Sequence, residues 1–211
     1  MAWLLIVILV FMMGSTFTKF FEGVAQYKEL DGDAMFYAMS EQIFYGDEGI
    51  WKTVKLMLFF IMPLLTMGLI SQEFSRGSIK LLFVAPITSR HIVLGKFLGM
   101  MMYGLLMFSV LLVYVILGGC WVESFDWAAV LTGLLGLYLL FGTYAAIGLF
   151  MSTLTTYPIV AAIYMLALLT FLRFVSGLWQ EYTFVRDITY WLALDRRAGT
   201  FINGMICSED F

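Results

Sequence analysis

The sequence predicts an all-α, polytopic integral membrane domain extending over residues 1–211. Three observations carry that expectation. The first is composition: 62% of the side chains are hydrophobic and 13% charged, whereas soluble domains carry about 25% charged residues. The mean hydropathy is +0.93, and a water-soluble globule could not cover 20 Phe and 15 Met with so few polar groups. The second is length: apolar runs close to the roughly 20 residues that cross a hydrocarbon core of about 30 Å occur five times. The third is that one short segment between two of those runs, residues 71–96, gathers Arg76, Lys80, Arg90 and Lys96. A net charge of −3 argues against nucleic acid as a partner, since phosphate binding needs a basic surface. The partner for most of the chain is the lipid bilayer.

Lipid offers the backbone no hydrogen-bond partners, so the five runs are expected to be α-helices. The alternating segments of about 10 residues that build a membrane barrel are absent. The first span covers approximately residues 3–21 and opens "WLLIVILVFMMGSTF". A secretory signal peptide is its rival reading, but Met1-Ala2 supplies no positive flank for one. That missing flank leads us to expect native sequence upstream. The second span is residues 54–70, with Pro63 as a candidate kink, and the third is residues 92–117. The fourth is residues 128–151, and the fifth, residues 158–178, starts at Pro158. Beyond it, the segment 179–211 mixes Trp179, Tyr182, Tyr190 and Trp191 with Arg186, Asp187, Asp195 and Arg196. Those aromatics read first as an interfacial belt.

The distribution of Lys and Arg sets the orientation. Four cations in the short 71–96 loop place it in the cytoplasm. The 120–127 loop, "CWVESFDW", has Glu123 and Asp126 and no cation, and belongs outside. Residues 14–53, with seven acids and three Lys, also fit outside. The N-terminus is then cytoplasmic and residues 179–211 lie on the outer side. Leaving Arg76, Lys80 and Arg90 in hydrocarbon would cost about 8–10 kcal/mol. Residues 71–91 are therefore expected at the cytoplasmic surface. Ile79, Leu82, Phe83 and Pro86 recur at helical spacing, with Glu73, Arg76 and Lys80 on another face. That pattern suits a short amphipathic helix lying along the membrane plane. A plain basic loop that only sets topology is the alternative.

The stretch "EFSRGSIKLLFVAPITSRHIVLGKFLG" resembles the segment after the second span in permease subunits of type-2 ABC exporters. Glu73, Gly77, Ser78, Leu81, Leu82, Pro86, Gly95 and Lys96 fall on the positions of that pattern. The five-span order and the fourth-span sequence "YAAIGLFMSTLT" match as well, and the subgroup associated with bacterial gliding motility is the most similar. The resemblance implies that the 71–91 segment is a coupling helix seated in a groove of a cytoplasmic ATPase. Its coupling residues would be Glu73, Arg76, Gly77, Ser78, Lys80, Leu82, Pro86, Gly95 and Lys96. It further implies a second permease copy or homologous permease as dimer partner, ATP and Mg bound by the ATPase subunit rather than by this chain, and a place in the bacterial inner membrane. Finally, it implies a sixth span. "FINGMICSEDF" resembles the outer segment before it, so the chain is expected to be a fragment.

The residues themselves show little enzymatic chemistry. A phosphate-cradling loop needs G-x-x-x-x-G-K-[ST], and around Gly95-Lys96 its first Gly is Arg90 and its last position Phe97. With one His and two Cys, no common zinc site forms. His91 reads as a helix-start residue. Gly95 and Gly99 form a G-x-x-x-G, and Gly142, Ala145, Ala146 and Gly148 line the fourth span. Such small residues serve dimerisation or helix sliding in one reading and plain packing in the other. Arg173 is the one cation well inside an apolar run; it lines a transport path or snorkels to the surface. Cys120 and Cys207 are both expected outside, where a disulfide is open to them. Three functions compete: an exporter permease, a non-transporting scaffold using the same ATPase for surface machinery, and a polytopic membrane enzyme. Nothing in the sequence marks a substrate class.

Overall fold

The structure, a computed structural model, describes residues 10–11, 14–15, 18–19, 21–22, 25, 50–77, 88–121 and 127–175. Among them every regular element is an α-helix. They are α1 (Ile50–Thr66), α2 (Ser71–Ser75), α3 (Ser89–Trp121), α4 (Trp127–Thr153) and α5 (Pro158–Val175). The described residues between 10 and 25 are helical too. Among the described residues three helical stretches are long and apolar enough to cross a membrane: 50–75, 89–117 and 127–153. The helix over 158–174 is a shorter apolar one. The first expected span, residues 78–87 of the coupling segment expected over 71–91, the end of the fifth span and the outer segment fall wholly or largely outside the described residues.

The long helices α1, α3, α4 and α5 each carry a buried stripe with helical period, and most of the opposite face is also apolar. In α1 the stripe is Ile50, Val54, Leu58, Ile61, Met62 and Leu65, while Leu56, Phe60 and Leu64 are exposed. In α4 it runs Val130, Leu137, Leu140, Phe141, Tyr144, Ala145, Leu149 and Ser152. A surface helix in water would be polar opposite such a stripe. These helices present Leu, Ile and Phe there instead, as expected where the solvent is hydrocarbon.

At 33 residues and a rise of about 1.5 Å per residue, α3 is roughly 50 Å long, about 20 Å more than the hydrocarbon core. Its first turn holds Arg90 and His91, both exposed, so the surplus includes this polar end. His91 reads at the helix start in the structure as well: its amide bonds the Thr88 carbonyl at 3.0 Å, and its Nδ1 lies 2.5 Å from Thr88 Oγ1. Pro158 opens α5, where its missing N–H removes no helical bond. Pro63 lies inside α1, four residues before the amide of Met67, which bonds its carbonyl at 3.0 Å.

The chain divides into two compact units. One comprises residues 1–57, 105–138 and 197–211. Its described interior is apolar, with Phe108 edge-on to Tyr138 at 5.7 Å between centroids, and Ser15 Oγ donates to Met57 Sδ at 3.3 Å. The other comprises residues 58–104 and 139–196. Here α2 packs on α5, and helices approach closely at two glycines. A Cβ at Gly104 would collide with the Phe141 ring, and one at Gly148 with the side chain of Thr66. Glycine is required at both by the neighbour's position rather than by backbone conformation.

Candidate functional site

The site grows from an interruption in a helix. The sequence leads one to expect a single span over 54–70, but α1 ends at Thr66, and a turn over 67–70 separates it from α2. A break of this kind strips helical partners from several carbonyls and amides at once. In a lipid setting each buried orphan would cost about 1–3 kcal/mol. Side chains from other helices meet the need.

Ser152, near the end of α4, is fully buried. Its hydroxyl oxygen accepts the amides of Ile70 at 3.1 Å and Ser71 at 3.0 Å. Its proton goes to the Met67 carbonyl at 3.2 Å. Two lone pairs and one proton are all a serine hydroxyl has, and all are used. Ser152 thus caps α2 from another helix, in place of Ile70, whose side chain has no capping group. Ser71 Oγ donates to the same Met67 carbonyl. Thr66, also buried, turns its hydroxyl back on the Met62 carbonyl at 2.8 Å, with its oxygen 3.0 Å from Met165 Sδ.

Lys96, from α3, completes the arrangement. Its Nζ donates to the Leu69 carbonyl inside the break and lies 2.6 Å from Glu73 Oε1 on α2. The two side chains are 20% and 31% exposed, so this ion pair sits at the edge of the packed region, neither sealed nor free in water. Glu73 and Lys96 are 23 residues apart in sequence and bracket the segment that holds Arg76, Lys80 and Arg90. The bridge closes that segment at its base. Arg76 is exposed at the end of α2, and Gly77, with φ +71°, ends the helix in the left-handed conformation that glycine adopts most readily.

Of the residues singled out in sequence, Glu73, Arg76, Gly77, Gly95 and Lys96 therefore lie in or beside this site. Ser78, Lys80, Leu82 and Pro86 fall outside the described residues. Gly95 and Gly99 are exposed on α3 with open space around them. Gly142 is buried, its Cβ position 3.3 Å from Met101 Sδ, and Gly148 lies under Thr66, whereas Ala146 is exposed. Arg173 is exposed on α5, its guanidinium 5.8 Å from the centre of the Phe59 ring. Cys207 and the side chain of Cys120 are not among the described residues. Sequence reasoning missed Thr66, Ser71, Gly104 and Ser152. The signal was there in part: hydroxyls beside the glycine of "TMGLIS" and in "FMST" are out of place in apolar runs unless they bond a backbone.

This arrangement offers hydrogen bonds and one ion pair. Among the described residues no group of His, Cys, Asp or Glu is placed to hold a metal ion. What it can do is mechanical: it joins the break and α2 to α3 and α4 through polar contacts. No curated protein and no solved structure matches the chain. Residues 1–183 match the model of the ABC-2 family transporter proteins, and the chain belongs to that family.

Proposed function

We propose that this chain is the membrane-spanning permease subunit of an ATP-binding-cassette exporter, driven by a separate cytoplasmic ATPase that seats on residues 71–96. Family membership implies association with an ABC ATPase and often dimerisation, in a normally non-enzymatic membrane subunit. The observation that carries the finer reading is the Glu73–Lys96 bridge. It gathers the ends of the cation-bearing segment, so that a push on Arg76, Lys80 or Arg90 reaches α1 and α3 together.

In this reading ATP and Mg bind the partner subunit, and the nucleotide biases the permease between inward- and outward-facing packings. A second copy or a homologous permease completes the path, with the N-terminus and residues 71–96 on the cytoplasmic face of the bacterial inner membrane. The likeness of residues 73–99 and of the fourth span to gliding-motility-associated permeases supports a role in that subgroup. Reversing Arg76 and Lys80 to Glu tests the seat. The double variant is expected to insert normally but to lose the ATPase on affinity purification. Recovery of the ATPase at the parental yield would refute the proposal.

A further inference from the structure

We infer that the break at residues 67–70 is a hinge, with Ser152 as its fixed pivot and Lys96 as the positioning residue that latches it. A hinge needs one contact that stays and one that lets go, and the site contains both kinds. Ser152 is fully buried with all its hydrogen-bonding capacity engaged, so water cannot replace it without opening the packing. Lys96 and Glu73 are 20% and 31% exposed, so water can take over their hydrogen bonds as they part. The lysine also spans the two parts that a hinge must join, the Leu69 carbonyl inside the break and Glu73 on α2.

The turn between α4 and α5 offers a contrast. It closes on local bonds, Leu154 amide to Met151 carbonyl at 3.2 Å and Tyr157 amide to Thr155 Oγ1 at 3.2 Å. The 67–70 break has local bonds too, Leu69 amide to Thr66 carbonyl at 3.2 Å and Ser71 Oγ to the Met67 carbonyl, but its other partners are side chains from α3 and α4, more than 25 residues away in sequence. Moving those helices therefore changes the hydrogen bonding of the break directly. Releasing Lys96 unties α2 from α3 and leaves it held by Ser152 and by its packing on α5, so that α2 and the segment behind it can swing about the Ser152 contact while α1 keeps its packing.

That the ATPase moves this segment rests on the function proposed above; the latch itself does not. Amide hydrogen exchange on the full chain in lipid nanodiscs, with and without the ATPase, separates the two. In the chain alone, Lys96→Met is expected to speed exchange of the Ile70–Phe74 amides about tenfold. Lys96→Arg, which keeps donors for both acceptors, is expected to stay near the parental rate. Glu73→Gln is expected to fall between, and serves in place of Lys96→Met should that variant fail to reach the membrane. In the complex, a non-hydrolysable ATP analogue is expected to raise exchange at 70–74 in the parental chain and to add nothing to Lys96→Met. Unchanged exchange in Lys96→Met, or Lys96→Arg as fast as Lys96→Met, would overturn the latch. A nucleotide that leaves 70–74 unmoved in an intact complex would overturn the hinge. Failure of the ATPase to co-purify would instead count against the proposed function, and the measurements on the chain alone would still decide the latch.

Discussion

Two regions of this chain hold themselves together by different chemistry. In the unit that includes residues 105–138, the buried side chains among those described are Ile50, Trp51, Val54, Met107, Phe108, Leu111, Val115, Val130 and Leu137. In the unit that includes residues 58–104, similar apolar stripes are joined by Thr66, Ser71 and Ser152, the buried polar residues among those described. Lipid is as apolar as leucine, so a leucine stripe gains little from the hydrophobic effect by choosing a helix over the bilayer. Dispersion and shape then decide, and several packings come close in energy. A buried carbonyl or amide has no such freedom, since hydrocarbon offers it nothing. The difference teaches where specificity resides. The polar break fixes one arrangement, and the apolar stripes accept it.

That contrast can be broken at graded positions. The largest effect is expected from Gly148→Val, because Thr66 already fills the space that the new side chain needs. Overpacking there should cost about 3 kcal/mol or more and leave little monodisperse protein after detergent extraction, read by size-exclusion chromatography. Ser152→Ala comes next. It orphans the Ile70 and Ser71 amides together, and a loss of about 1–3 kcal/mol for each should appear as a lower midpoint of thermal unfolding. In the apolar region, Tyr138→Leu removes the edge-on contact with Phe108 and should cost about 0.5–1.5 kcal/mol in the same assay. If Tyr138→Leu proves as damaging as Ser152→Ala, the distinction between the regions is lost. The smallest effect is expected from Gly99→Ala, where nothing lies within 4 Å. Stability of the single chain should not change, so any loss of a cross-linked dimer in that variant would place the second copy against this face of α3.

Much of the architecture was legible because lipid imposes a simple rule on composition. The runs at 92–117 and 128–151 lie inside α3 and α4, since a long apolar segment in a bilayer has no alternative to a helix. The ends were less legible. Arg90 looks like a loop residue by polarity, yet α3 begins before it, because a helix continues past the hydrocarbon as readily as within it. The span expected over 54–70 hid a break. Gly68 is a weak signal alone, and what allows the interruption is Ser152, 82 residues from Ile70 in the chain. Glu73 and Lys96 were both singled out, but their pairing was not. Sequence spacing says nothing about contacts that the fold makes across 23 residues. Ser152 was the hardest, one hydroxyl in an apolar span whose meaning depends on a turn in another helix.

The central claim is that the segment between Glu73 and Lys96 faces the cytoplasm, where an ATPase can hold it. Arg90 is exposed in the first turn of α3, where a probe can be attached. A single cysteine there, with Cys120 and Cys207 replaced by Ser, can be treated with a membrane-impermeant thiol reagent in intact cells and in inverted membrane vesicles. The account predicts labelling in the vesicles and none in the cells. Labelling confined to intact cells would put the segment on the wrong side of the membrane and contradict it.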